Sequence, residues 1–144
     1  MKRWENTTLE PTPAFKHAEK TILVVDDDPS ILKFVSGLLN GQYNILIAKS
    51  GIEAVQRSEE FTDEIHLLLT DFSMGAMTGI ELATKLTTQR PNIKVLMMSG
   101  FPEGMLVLNE GWHFLAKPFV ESQLRTLITG LIAPTSRFKA SGSN

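Results

Sequence analysis

The order of short apolar runs along the chain is the feature that most constrains its fold. Five such runs, each long enough for one buried strand, alternate with segments whose apolar residues recur at helical spacing. The predicted strands are Thr21–Asp26, Tyr43–Ala48, Ile65–Thr70, Ile93–Met98 and Trp112–Ala116. Because strands that alternate with helices usually pair in parallel, the pattern predicts a doubly wound α/β fold, with helices on both faces of the sheet.

Helix-start signals follow the first three predicted strands. Asp28 precedes Pro29, which favours an N-cap followed by proline at the first helical position. The segments Ser50–Glu53 and Thr78–Glu81 have the pattern of a capping box. The five predicted helices run from Pro29 toward Gly41, from Ser50 to about Glu60, from Thr78 to about Gln89, weakly around Pro102–Asn109, and from Val120 to Ile132.

Length and composition indicate one domain, predicted at residues 21–133. Residues 1–20 are polar and aperiodic, so we expect a disordered lead-in, and residues 134–144 are predicted to be a flexible tail. The net charge of −2 argues against direct nucleic-acid binding, and the lack of cysteine excludes disulfides and thiolate zinc sites. No apolar stretch suits a membrane span or a signal peptide, so we expect a cytoplasmic protein.

Polar and charged residues stand where the predicted strands end. They are Asp26, Asp27 and Asp28 at the first strand, Asp71 after the third, Ser99 and Gly100 after the fourth, and Lys117 after the fifth. Because the carboxyl ends of parallel strands meet at one edge, we expect these residues to share a surface. Clustered carboxylates repel one another, and a divalent cation such as Mg²⁺, which prefers oxygen ligands, would offset that cost.

This set of groups suits phosphoryl transfer. A cation reduces the repulsion between the carboxylates and a phosphate, and one carboxylate can then act as the nucleophile that forms an acyl phosphate. Lys117 supplies a positive charge for a phosphoryl oxygen, and Ser99 supplies a hydroxyl donor. Gly100 leaves space beside the reacting carboxylate.

Four short motifs resemble the receiver domain of two-component response regulators. They are Ile22–Pro29, Leu68–Asp71, Met97–Gly100 and Phe114–Phe119, and the resemblance extends from about Thr21 to Ala133. It implies a flavodoxin-like sheet with strand order 2-1-3-4-5, flanked by five helices. The motifs are most similar to those of receivers fused to hybrid histidine kinases.

The resemblance also implies roles for individual residues. Asp71 would be the phosphoacceptor, with Lys117 beside it. Asp26 and Asp27, with Asp71 and the backbone carbonyl of Ser73, would hold Mg²⁺ or Mn²⁺. The protein would be no enzyme beyond its own aspartyl phosphorylation and dephosphorylation.

Signal output is also implied by the resemblance. Ser99 and Phe114 would form the switch, and the Lys117–Pro118 peptide bond would be cis. A sensor histidine kinase or phosphotransfer protein would donate the phosphoryl group. A downstream protein would bind the face made by the fourth helix, the fifth strand and the last helix, with no membrane or nucleic acid as a direct partner.

Two alternative functions stay open at this point. The first is an aspartate-nucleophile phosphohydrolase of the haloacid dehalogenase type, since Asp26–Ser30 loosely satisfies its opening motif. That family needs a further acidic motif after the lysine, and Glu121 is the only acid beyond Lys117. The second alternative is a degenerate receiver that is not phosphorylated and acts only by docking.

Overall fold

The computed structural model describes residues 19–100 and 111–134. Five parallel strands form one sheet in the order β2-β1-β3-β4-β5, which confirms the predicted order. Their bounds are β1 Thr21–Val25, β2 Asn44–Ala48, β3 Leu67–Asp71, β4 Lys94–Ser99 and β5 Trp112–Ala116. The carboxyl ends of all five strands therefore lie at one edge of the sheet.

Four helices lie in the described part of the chain: α1 Pro29–Leu39, α2 Gly51–Glu60, α3 Gly79–Gln89 and α4 Glu121–Leu131. The helix predicted around Pro102–Asn109 falls outside the described residues, as do nearly all of the predicted lead-in and tail. A flanking set of five helices is thus not confirmed.

The sheet is buried on both faces, which explains why its strands are almost continuously apolar. Successive residues of β1 point to opposite faces. Ile22 and Val24 pack in a core layer with α1 and α4, whereas Leu23 and Val25 pack in a second layer with α2 and α3. Both layers together make the doubly wound architecture that the alternating pattern predicts.

Local signals explain where the helices begin. Asp28 accepts a hydrogen bond from the Ser30 N–H and caps α1 at Pro29. Thr78 and Glu81 form a complete capping box at α3.

The box predicted at α2 is only half formed. Ser50 Oγ accepts from the Glu53 N–H, but the Glu53 carboxylate accepts from the Lys49 N–H instead of the cap's own N–H.

The strand ends differ slightly from those predicted, and the differences affect the site. Asp71 and Ser99 are the last residues of β3 and β4, because their backbones are still paired with the neighbouring strands. Asp26 follows β1 directly, and its N–H donates to the Ala48 carbonyl at 3.2 Å. The backbones that carry these side chains are therefore held by the sheet rather than by loops.

Candidate functional site

One ammonium group joins two of the carboxylates predicted to converge. Lys117 Nζ lies 3.1 Å from Asp26 Oδ2 and 3.1 Å from Asp71 Oδ1. These residues follow β1, end β3 and follow β5, and Lys117 is separated from Asp26 by 91 positions in the sequence. The Lys117 N–H also donates to the Ser99 carbonyl at 2.7 Å, which ties the lysine to the end of β4.

Asp26 is the most deeply buried of the acids. Its side chain is fully buried, and its Oδ1 accepts a hydrogen bond from the Asp28 N–H at 2.9 Å. With Oδ2 paired to Lys117, both oxygens of this carboxylate have a partner. Such a group is held in one orientation, which suits a fixed wall of a binding site.

Three carboxylates can meet at one point at this edge. Oxygen atoms of Asp26, Asp27 and Asp71 all lie within 4.8 Å of one another, with Asp27 exposed and Asp71 only 7% exposed. Within residues 19–100 and 111–134, three acids lie beside one lysine here, which leaves an excess of negative charge. All three offer the oxygen ligands that a hard divalent cation prefers, so these residues fit the Mg²⁺ site that the family resemblance implies.

The charges also affect protonation of the acceptor candidate. Burial raises the pKa of the Asp71 carboxyl, the hydrogen bond from Lys117 lowers it, and the charges of Asp26 and Asp27 raise it again. The net effect is a pKa above the ordinary value for an aspartate. Without a cation, the ionised form of Asp71 is therefore less favourable in the folded protein than in water.

Lys117 is held in its charged form. Burial lowers the pKa of its ammonium. The hydrogen bonds to Asp71 and Asp26 and the attraction of both negative charges raise that pKa by more than burial lowers it. The net pKa is above the ordinary value for a lysine, so this group stays a fixed positive charge at neutral pH.

Other candidate residues lie around this centre. Ser99 is buried at the end of β4, whereas Ser73 and Gly100 are exposed just after β3 and β4. A β-carbon at Gly100 would meet no described atom within 4 Å. Phe114 does not lie at the carboxyl edge. It stands in the middle of β5, where it pairs with Met97 of β4. Its half-buried ring packs against the core layer with α2 and α3.

Two further predictions for this region concern the Lys117–Pro118 peptide bond and Asp28. The Lys117–Pro118 peptide bond is cis. Asp28, the third acid of the run, has its pKa lowered by hydrogen bonds from the Ser30 hydroxyl and N–H, which agrees with its capping role at α1.

Gly79 is a residue whose importance the sequence pattern did not reveal. A β-carbon at this position would clash with the Asp71 carbonyl oxygen and lie 3.0 Å from Phe72 Cα. The Gly79 N–H donates to the Phe72 carbonyl at 2.9 Å. A glycine is thus required where α3 begins against the end of β3, and the only signal was its place directly after the capping Thr78.

The sequence that forms this site is similar to a known protein family. Residues 22–129 match the response regulator receiver domain. The chain belongs to that family. It is therefore a receiver of two-component phosphorelay signalling, as the motifs at the strand ends predict.

Individual relatives include a sensor kinase and a response regulator receiver protein. The chain is 31% identical over 117 residues to the sensor kinase CckA of Brucella abortus, covering 78% of this chain and 12% of that protein. It is 36% identical over 83 residues to the response regulator receiver protein CpdR of the same organism, covering 57% of this chain and 68% of that protein. Thus the chain spans only a small part of the kinase relative.

Solved structures agree with the fold. The receiver domain of the hybrid histidine kinase CckA superposes with a TM-score of 0.69 at 27% identity, covering 78% of this chain and 98% of that one. A receiver domain from Clostridium thermocellum gives a TM-score of 0.70 at 25% identity, covering 84% and 98%. Within residues 19–100 and 111–134, no helix has the length and apolar character needed to cross a membrane.

Proposed function

We propose that Asp71 accepts a phosphoryl group from a phosphohistidine on a sensor histidine kinase or phosphotransfer protein. The observation that carries the proposal is the bridge from Lys117 to Asp26 and Asp71, set beside a third carboxylate within 4.8 Å. We propose that residues 21–133 form the receiver domain that carries out this function.

In this transfer the Asp71 carboxylate is the nucleophile and the imidazole of the phosphohistidine is the leaving group. A carboxylate oxygen of Asp71 attacks the phosphorus, the nitrogen–phosphorus bond breaks, and the imidazole keeps the electron pair and takes up a proton. The product is an acyl phosphate on Asp71. Lys117, which already pairs with Asp26, would also attract an oxygen of the phosphoryl group on Asp71. Its positive charge would therefore balance part of the added negative charge. Water later attacks the phosphorus, restores the carboxylate and releases inorganic phosphate.

Asp26, Asp27 and Asp71, with the backbone carbonyl of Ser73, are the groups we assign to a bound Mg²⁺ or Mn²⁺. When bound, such a cation neutralises charge between the carboxylates and the phosphoryl oxygens. The burial of Asp26 keeps its carboxylate fixed, and the exposure of Asp27 leaves one side of the site open to solvent. Gly100, where a β-carbon would meet no described atom within 4 Å, leaves room for the phosphoryl group.

Phosphorylation then changes the balance of two conformations. We assign the switch to Ser99, whose hydroxyl would donate to the phosphoryl group, and to Phe114, whose half-buried ring would move further in. A downstream protein would bind the face formed by the predicted helix around Pro102–Asn109, β5 and α4. We propose that this exchange takes place in the cytoplasm, with no nucleic acid or membrane as a direct partner.

The phosphohydrolase alternative is weakened by Glu121. This residue is the only acid after Lys117, yet it lies in the first turn of α4, and its carboxylate pairs with Arg125 at 2.9 Å. The docking-only alternative has less support still, because the acids and the lysine needed for phosphorylation converge.

A phosphorylation assay tests the proposed function. The protein is incubated with acetyl phosphate and Mg²⁺, and its intact mass is measured beside that of Asp71→Asn. We expect wild-type protein to gain one phosphoryl group and the variant to gain none. Steady release of phosphate from many esters, or equal labelling of both proteins, would contradict the assignment.

A further inference from the structure

The loop of residues 72–78, which joins β3 to α3, makes a contact with α2 that the proposed chemistry does not use. Met77 is half-buried and packs against the core layer that includes α2 and α3. Its side chain fills the space beside Gly51, the first residue of α2. A β-carbon at Gly51 would lie 2.6 Å from Met77 Sδ and 2.8 Å from Met77 Cβ.

The same loop is closed at its base by Gly79, which lies against the Asp71 carbonyl and donates to Phe72. Between Phe72 and Met77, Met74 is buried in the core layer with α2 and α3, whereas Gly75 is exposed and a β-carbon there would meet no described atom within 4 Å. Met74 and Met77 thus both hold the loop against the core, and Met77 is the residue seated against Gly51 of α2.

The anchored segment also borders the acidic site. Met74–Met77 line a cavity of about 210 Å³ together with Asp27, Gly51 and Ile52. A displacement of Met77 would therefore move the wall next to Asp27. We expect it also to shift the backbone at Ser73, because Ser73 and Met77 flank the buried Met74 in the same short connection between β3 and α3.

We propose that Met77, seated against Gly51, is a positioning residue for the cation site. It acts through the loop and touches neither the phosphoryl group nor the cation. The inference rests on the proposed function, because it concerns the same site, and it assigns to the Met77–Gly51 contact the placement of the Ser73 backbone relative to Asp27 and Asp71.

Gly51→Ala is the direct test, because its new β-carbon must displace the whole Met77 side chain. In the metal-free protein we expect the backbone amide NMR signals of residues 73–76 to shift. We expect Mg²⁺ affinity, measured by titration on fully folded protein, to fall roughly tenfold, the range seen when a group that orients metal ligands is lost. Gly37→Ala is the matched control, since a β-carbon at that helical glycine would meet no described atom.

Substitutions at Met77 separate positioning from bulk stability. Met77→Leu keeps an apolar side chain of similar volume, and its Mg²⁺ affinity should stay within about twofold of wild type. Met77→Ala removes the contact without adding atoms, so it is the milder variant if Gly51→Ala folds poorly. The two residues share one contact. The double variant Gly51→Ala/Met77→Ala should therefore bind Mg²⁺ at least as tightly as the single variant with the lower affinity.

The outcomes distinguish this inference from the proposed function. Wild-type Mg²⁺ affinity in both Gly51→Ala and Met77→Ala would overturn the positioning role and leave phosphorylation of Asp71 untouched. Additive losses in the double variant would also overturn it. A wild-type protein that binds no Mg²⁺ in the same titration would overturn the proposed cation site itself, and the positioning role with it.

Discussion

The two ends of the sheet are both partly buried, yet they hold different kinds of polar groups. At the amino end the Thr21 N–H donates to His66 Nδ1 at 3.0 Å, and Asn44 Nδ2 donates to Thr21 Oγ1 at 3.2 Å. The exposed carboxylate of Glu64 lies 3.5 Å from His66 Nε2 of that imidazole. At the carboxyl end, ionisable Asp26 and Asp71 are buried or nearly so, beside the ammonium of one lysine.

This difference shows where the fold gives up stability for function. Hydrogen bonds at the amino end satisfy the buried polar groups of Thr21 and Asn44 without gathering buried charges of one sign. The carboxyl end gathers an excess of carboxylates whose mutual repulsion a ligand is needed to relieve. Substitutions at the two ends should therefore separate stability from cation binding.

The largest effect is expected from removing the Lys117 ammonium, which pairs with both buried acids. Lys117→Met leaves Asp26 and Asp71 without their ammonium partner, so the metal-free protein should lose about 2 kcal/mol of unfolding free energy. Urea unfolding in the presence of a chelator measures the loss. Lys94→Met, which removes an exposed lysine at the amino end, is the control and should change stability by less than about 0.5 kcal/mol. Equal losses in both variants would contradict the comparison.

The next effect concerns Mg²⁺ binding. Asp27→Asn removes one negative charge from the three-carboxylate cluster, so Mg²⁺ affinity should fall about tenfold, equivalent to about 1.4 kcal/mol. Calorimetric titration measures this change. Asp28→Asn is the matched control from the adjacent position, because asparagine caps a helix as well as aspartate does. A similar loss in the control would mean that the whole aspartate run acts only through its net charge.

A smaller effect of opposite sign is expected when Asp71 becomes neutral. The folded-state pKa of Asp71 is raised, so its contribution to stability is present below the unfolded pKa and is lost as pH rises through the folded pKa. At pH 7 without Mg²⁺, the free energy of unfolding of Asp71→Asn should therefore be about 1 kcal/mol higher than that of wild type. This advantage should shrink as the pH falls toward the pKa of an unfolded aspartate. Denaturation at several pH values checks it, and a less stable variant at pH 7 would contradict the assigned charge excess.

The smallest effect is expected at the amino end. Asn44→Ala removes the side-chain hydrogen bond to Thr21 and should cost about 0.5–1 kcal/mol of stability. Mg²⁺ affinity should be unchanged, because the opposite edge of the sheet holds the carboxylates. Chemical denaturation and the same Mg²⁺ titration measure both quantities, and a weakened cation site would show that the two ends are coupled.

Much of this arrangement is predictable from the chain alone, because it depends on periodicity. Apolar runs that end in Asp26, Asp71 and Lys117 predict both a parallel sheet and a shared edge, since parallel strands all end on the same side. Caps such as Asp28 and Thr78 are equally local, because a cap bonds residues two or three positions away.

Contacts between distant positions carry no comparable local signal. Met77 gives the pattern of an ordinary packing residue, and its fit against Gly51 depends on how α2 and the β3–α3 loop meet. Arg90 is similar: its guanidinium donates to the carbonyl oxygens of Ser58 and Phe61 after folding brings the ends of α2 and α3 together. The carboxyl ends of three predicted strands were wrong by one residue: β1 ends before Asp26, whereas backbone pairing continues through Asp71 and Ser99.

We propose that cation and phosphoryl chemistry belong to the carboxyl end of the sheet and depend on Asp71. Addition of beryllofluoride and Mg²⁺ to ¹⁵N-labelled protein, followed by backbone NMR, tests this proposal. We predict shifts concentrated at residues 26–28, 71–75, 99–100 and 117, with little change at Thr21, Asn44 and His66, and no such response in Asp71→Asn. Equal shifts at both ends, or the same response in Asp71→Asn, would contradict the claim.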